Sequence, residues 1–169
     1  RKKLKVSLQK VKEVGLRPVY MDVGAAGGLS RLWKHLDKIN LIEVISFDIN
    51  SKWGSMKNLI PKALGSENTI KPFYITRHPG CSSFRKPNAD IVRDYHIASY
   101  FDIEKEVELE MSRFDTIVEQ GKCDVPHFIK MDIQGYEYDC LLGFGKVLND
   151  VLALELETQF SQMYEGQTV

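Results

Sequence analysis

The sequence predicts a single α/β domain built on a doubly wound, mostly parallel sheet. Three observations carry that expectation. Short apolar runs of strand length alternate with segments of helical periodicity. A glycine-rich turn, Val23-Gly24-Ala25-Ala26-Gly27-Gly28, follows the first of those runs. Acids stand at the ends of three strands, at Asp22, Asp48 and Asp132. In sheets of this class a ligand sits beyond the carboxyl ends of the strands, where the strand order reverses, and the turn after the first strand is its floor.

The elements follow in order. Residues 1–14 place Leu4, Leu8, Val11 and Val14 at helical spacing with lysines opposite, which predicts an amphipathic helix packed on the sheet and stopped by Gly15. Pro18 opens the apolar run PVYMDV, a buried first strand. Beyond the glycine turn, Leu29 to Leu36 has helical periodicity and Leu41 to Phe47 reads as the second strand. A helix from Lys52 to Leu59 and a short third strand from Pro61 to Leu64 are expected next. Residues 69–76 and 101–111 alternate polar and apolar positions, as edge or antiparallel strands do. Between them His78 to Asn88, with two prolines, Gly80 and Ser82-Ser83, is a loop. A helix over 112–120, a turn at Gly121 to Pro126, the strand HFIKMD, a turn at Gln134-Gly135, a helix from Tyr136 and a strand from Val151 to Leu156 complete the pattern.

A chain of 169 residues that is 43% apolar and 27% charged is sufficient for one core. Its 23 basic and 23 acidic residues cancel, so no general field draws it to nucleic acid or to an anionic membrane, and a small-molecule partner is expected. Cys81, Cys123 and Cys140 are odd in number, far apart and without CxxC spacing, which points to reduced thiols in a cytoplasmic compartment. No stretch has the length of a membrane span and none reads as a signal peptide. The chain opens on Arg1 and stops at Val169 shortly after a strand, as a segment of a longer protein would.

The residues of the glycine turn discriminate among ligands. A P-loop needs a lysine that nothing after Gly24 supplies, and a dinucleotide fingerprint begun at Gly24 would want glycines where Ala26 and Leu29 stand. Asp22 would also repel a pyrophosphate but attract an ammonium or a cationic sulfur, so a cationic ligand such as S-adenosylmethionine suits the turn better than NAD. Asp48 stands about 20 residues past the turn, where a carboxylate accepts hydrogen bonds from ribose hydroxyls. Both acids would alternatively cap the helices that follow them. Lys130 and Asp132 share one face of their strand near the ligand edge, and a charged pair in so apolar a strand is a functional candidate. The other reading is a structural ion pair, with Glu137 capping the next helix.

MDVGAAGG, SFDIN, the Ser82-Ser83 loop, IKMDIQGYE and LELETQFSQMYEGQ, in this order, resemble the FkbM methyltransferases along nearly the whole chain. The most specific element is KMDIQGYE. The resemblance implies a Rossmann-like fold of the class I methyltransferase type and transfer of a methyl group from S-adenosylmethionine to a hydroxyl oxygen of a sugar, a polyketide or another small molecule, with no obligatory metal. Such enzymes end in an antiparallel strand pair beyond the fifth strand, and nothing here encodes it, which would leave one sheet edge bare. On this reading Asp22, Gly24, Ala25, Gly27, Gly28, Asp48, Ile49 and Ser83 hold the cofactor. Asp132 orients or deprotonates the acceptor, supported by Lys130 and Glu137. Glu157 and Glu155 are further candidates for hydroxyl contacts. His78 reads as a solvated loop histidine, and Ser82 and Ser83 serve either the ligand or their own turn. Two rivals remain: an NAD(P)-dependent oxidoreductase, and a binding module of the same fold without catalysis.

Overall fold

The structure, a computed structural model, describes residues 10–11, 13–50 and 56–169. Five parallel strands form the main sheet in the order β3-β2-β1-β7-β8. They are β1 (Val19–Val23), β2 (Glu43–Phe47), β3 (Leu59–Ile60), β7 (Phe128–Met131) and β8 (Ala153–Leu156). The chain winds outward from β1 through β2 and β3, then returns to the other side of β1 with β7 and β8. The strand order therefore reverses between β1 and β7, the position at which a Rossmann-like sheet opens its ligand crevice. A second sheet, in the order β4-β6-β5, is made of β4 (Ala63–Leu64), β5 (Thr69–Thr76) and β6 (Ile103–Ser112). The long pair β5 and β6 is antiparallel, as the polar alternation of both segments predicts.

Strand alternation divides the core. Val19, Met21 and Val23 of β1 join Ile45, Phe47, Ile129 and Met131 on one face, where they pack against Phe114 and Ile117 of helix α3 (Phe114–Glu119), Cys140 of α4 (Glu137–Leu142) and Phe144. On the other face Tyr20 and Val44, with Phe128, meet Leu29, Trp33 and Leu36 at the spacing of one helical stripe. The last two belong to α1 (Arg31–Lys38), and the Trp33 ring stacks 4.2 Å from that of Tyr20. A third cluster gathers Cys81, Val92 of α2 (Ala89–Val92), Phe101, Met163 and Tyr164, so residues after β8 fold back beneath the 78–101 loop.

Some expectations are corrected. The predicted helix from Lys52 to Leu59 lies partly outside the described residues, and its end is strand, not helix: Leu59 and Ile60 pair with Ser46 and Phe47 on the free edge of β2. Burying two apolar residues against an open strand edge outweighs continuing a helix that Pro61 would stop. The third strand predicted over Pro61 to Leu64 is split, because Ala63 and Leu64 leave the main sheet and pair with Met111 and Ser112 of β6. The N-terminal helix falls largely outside the described residues; residues 10, 11, 13 and 14 are helical, and Val14 is 69% exposed. Among the described residues no strand pairs with the outer edge of β8, and no helix is long and apolar enough to cross a membrane.

Candidate active site

The glycine turn is stitched between its two neighbouring strands. Gly24 donates to the Phe47 carbonyl at 2.9 Å, and Asp132 donates to the Val23 carbonyl at 3.0 Å. Gly24 has φ +76, and a Cβ there would lie 2.0 Å from the Asp132 carbonyl oxygen. Only glycine lets the turn close on β7 so tightly. The turn continues as a short 3-10 segment, Ala25–Gly27, whose Ala26 amide donates to Asp48 Oδ2 at 2.9 Å. The Asn50 amide takes the other oxygen, Oδ1, at 2.8 Å. Asp48 thereby locks the ends of β1 and β2 together, and each of its oxygens keeps a lone pair for a further donor.

Register then aligns the charges. Asp22 lies opposite Lys130, and Lys130 opposite Glu155, across three adjacent strands. The Lys130 ammonium stands 3.2 Å from Asp22 Oδ1 and 3.6 Å from Asp132 Oδ2, and donates to the Gly24 carbonyl at 3.1 Å. One hydrogen bond and two ion pairs therefore tie the ammonium to the fold, and Lys130 braces the turn from behind. Asp22, expected beneath the glycine turn as the acid that attracts a cationic ligand, does not itself line the cleft. Asp22 is 1% exposed and faces Lys130. Burial pushes its carboxyl above the ordinary range while Lys130 pulls it back.

Beyond β7 the chain turns through Gln134 at φ +58 and Gly135 at φ +85. The Gln134 amide nitrogen donates to Asp132 Oδ1 and to Glu157 Oε2, each at 2.8 Å, and its Oε1 is 3.0 Å from the Tyr164 hydroxyl. Sharing that amide brings the Asp132 and Glu157 carboxyls next to each other. That contact, then burial and the nearby charges of Asp132 and Glu137, push Glu157 up to about 7. Asp132 is moved down: burial opposes ionisation, but the contacts with Glu157, Lys130 and Gln134 prevail. Glu155 is turned aside, accepting from Trp33 Nε1 at 3.2 Å.

Two predicted site residues have other tasks. Glu137 is 8% exposed and folds back to accept the Ile133 amide at 2.8 Å, with the amides of Gly135 and Glu137 itself also pointing at its carboxylate. It holds the turn and does not reach the cleft. Ser83 is 1% exposed; its hydroxyl donates to the Gln134 carbonyl at 2.7 Å and accepts from the Arg85 amide at 3.0 Å. The cleft wall at this loop is Ser82 instead.

A cleft of about 670 Å³ opens between the carboxyl ends of β1, β2 and β7 and the inner face of the second sheet. Of the predicted residues, Gly24, Gly27, Asp48, Ile49 and Asp132 line it, while Asp22, Ala25, Gly28, Lys130, Glu137 and Ser83 do not. Sequence reasoning missed the opposite wall. Phe73 and Ile75 of β5, Val107 and Leu109 of β6, Phe84 and Tyr136 make it apolar and aromatic. The Phe84 ring stands 5.0 Å from Phe73 and 5.5 Å from Tyr136. The signal was present in the alternation of both strands, whose apolar positions share one face. His78 also lines the cleft, stacked 4.9 Å from Tyr100. Among the described residues no three His, Cys, Asp or Glu side chains gather as a metal ion would require.

The family model described as the methyltransferase FkbM domain matches residues 43–168. The chain belongs to the FkbM family of methyltransferases. No curated protein and no solved structure matches it.

Proposed function

We propose that this FkbM-family chain transfers a methyl group from S-adenosylmethionine to a hydroxyl oxygen of a small molecule held in the cleft. The observation that carries this reading is the charge at the ligand edge. Asp48 and Asp132 line the cleft with Asp22 buried behind them, while Lys130 is paired with Asp22 and Asp132 and Lys62, the lysine of the lining, is paired with Glu110. Excess negative charge suits an ammonium and a sulfonium and opposes a pyrophosphate. The residues also fit the group in shape. Ala26 and Gly27 offer backbone with almost no side chain at the cleft floor, Asp48 has lone pairs left for ribose hydroxyls, and Ile49, 38% exposed, presents apolar surface beside them. A volume of about 670 Å³ lies within the range of small-molecule sites.

Bound there, S-adenosylmethionine supplies a methyl already activated by its cationic sulfur. What remains for the protein is to hold the acceptor oxygen in line, keep water out and manage one proton. The apolar wall of Phe73, Phe84 and Tyr136 excludes water. Asp132 is the only ionisable group from β7 on the cleft surface and orients the hydroxyl.

Calorimetric titration with S-adenosylhomocysteine and, separately, NADH tests the reading on wild type and Asp48→Ala. Binding of S-adenosylhomocysteine alone, weakened by the substitution, is expected. Binding of NADH alone would replace the methyltransferase reading with that of an oxidoreductase. If S-adenosylhomocysteine binds, Asp132→Asn separates an enzyme, which loses turnover, from a binding module, which has none to lose.

A further inference from the structure

Asp132 and Glu157 stand just past the ends of the adjacent strands β7 and β8, and one amide, Gln134 Nε2, reaches both carboxyls at 2.8 Å, which makes the two neighbours across it. Two carboxylates this close do not both ionise cheaply. Among the described residues the cation paired with either acid is Lys130, on the Asp132 side, 3.6 Å away. Negative charge therefore settles on Asp132 and a proton on Glu157. The bridge is held in place despite its cost. Gln134 sits in the left-handed region, φ +58, which a non-glycine residue adopts only under constraint, and is kept there by Ser83 on its carbonyl and Tyr164 beside its Oε1.

We propose that Asp132 and Glu157, bridged by Gln134, titrate as a pair that holds one proton between them, and that the pair in its doubly ionised form, not Asp132 alone, accepts the proton released when the acceptor hydroxyl is methylated. The proposal rests on the methyltransferase reading above. Asp132 by itself, paired with Lys130, is too weak a base toward an alcohol. A pair whose second ionisation falls near neutrality is matched to the task. The S–C bond breaks with its electron pair left on sulfur, the C–O bond forms, and the hydroxyl proton passes to the pair, which goes from doubly to singly ionised. Glu157 lies at the exposed rim, so that proton has a route to water. The other ionisable groups around the pair are Lys130 on β7, Asp22 on β1, Glu137 on α4, and Cys81 and Tyr164 from the loop and the C-terminal segment. Burial keeps the last two neutral.

Two measurements on the full chain test this. In carbon NMR with carboxyl-labelled aspartate and glutamate, Glu157 should titrate near 7 in the wild type and fall to about 4, the ordinary glutamate range, in Asp132→Asn. A wild-type Glu157 already in the ordinary range would overturn the shared proton. The second measurement needs no acceptor: calorimetric affinities of S-adenosylmethionine and S-adenosylhomocysteine from about pH 6 to 8.5. The two differ in the charge on sulfur, so their affinity ratio should shift toward the sulfonium by about tenfold as the pair becomes doubly ionised. The shift should vanish in Glu157→Gln. A wild-type ratio independent of pH would remove the pair from the transferring methyl, whereas failure of both ligands to bind would sink the methyltransferase reading itself.

Discussion

Lys130 Nζ lies 3.2 Å from Asp22 Oδ1 across the β1–β7 seam, and the same ammonium reaches the Gly24 carbonyl at 3.1 Å. One cation thus neutralises the most buried acid of the fold and fixes the turn that floors the cleft. The floor and the charge are a single unit, and disturbing either part should be felt in both.

Replacing Lys130 with Met leaves Asp22 ionised and uncompensated at 1% exposure. A loss of about 3–5 kcal/mol in urea unfolding is expected, with most of it restored in the double variant Lys130→Met, Asp22→Asn. The folded-state pKa of Asp22 is already raised, and without Lys130 it rises further. Ionising such a group opposes folding, so the deficit is largest at neutral pH and shrinks as pH falls toward that raised pKa. A deficit that grows on acidification would show the sign to be wrong.

Gly24→Ala places a methyl 2.0 Å from the Asp132 carbonyl oxygen in a backbone of positive φ. The turn must then pull away from β7. S-Adenosylhomocysteine binding should be lost in calorimetry, and thermal unfolding should begin at lower temperature. Gly27→Ala meets no atom within 4 Å and should leave the melting temperature nearly unchanged.

Ser83→Ala removes the donor to the Gln134 carbonyl and the acceptor for the Arg85 amide. Two half-buried backbone groups lose a partner, at up to about 1–3 kcal/mol each where water does not replace it. Stability should fall in denaturant unfolding while affinity for S-adenosylhomocysteine changes little. A large loss of affinity without loss of stability would return Ser83 to the cofactor-binding set.

Asp115 is held below the ordinary carboxylate range, chiefly by hydrogen bonds from Arg113 and then from the Thr116 amide. A depressed folded-state pKa contributes stability that is present above the unfolded value, about 4, and lost as pH falls through the folded one. Asp115→Asn should therefore lower stability at pH 7 and flatten the acid limb of the stability curve below pH 4. An acid limb as steep as that of the wild type would assign the acid sensitivity to other carboxyls.

Local periodicity made most elements legible. Helix α1 follows from the stripe Leu29, Trp33 and Leu36, β1 and β2 from short apolar runs after Pro18 and before Asp48, and β5 and β6 from alternation. The miss at Leu59 has a long-range cause. Whether two apolar residues continue a helix or pair with a strand depends on a free edge of β2, formed by residues 43–47. The candidate site was half legible. A glycine turn after a strand and acids at strand ends are sequence features, so Gly24, Gly27, Asp48 and Asp132 could be placed at a ligand edge before any contact was known.

By itself the sequence determined the carboxyl ends of β1 and β2, the turn that needs glycine at Gly24 and the side of those strands on which an acid lies, because turn chemistry and the two-residue period of a strand are local. Tertiary structure alone decided that Asp22 is spent on Lys130, that Glu157 and not Glu155 meets Asp132, that Gln134 bridges the two, and that β5 and β6 form a second sheet opposite the glycine turn. Those facts depend on register and on which sheet a strand joins. Both are settled by packing between residues more than a hundred positions apart, as Trp33 and Glu155 are, and a one-residue shift in register would redirect every side chain concerned.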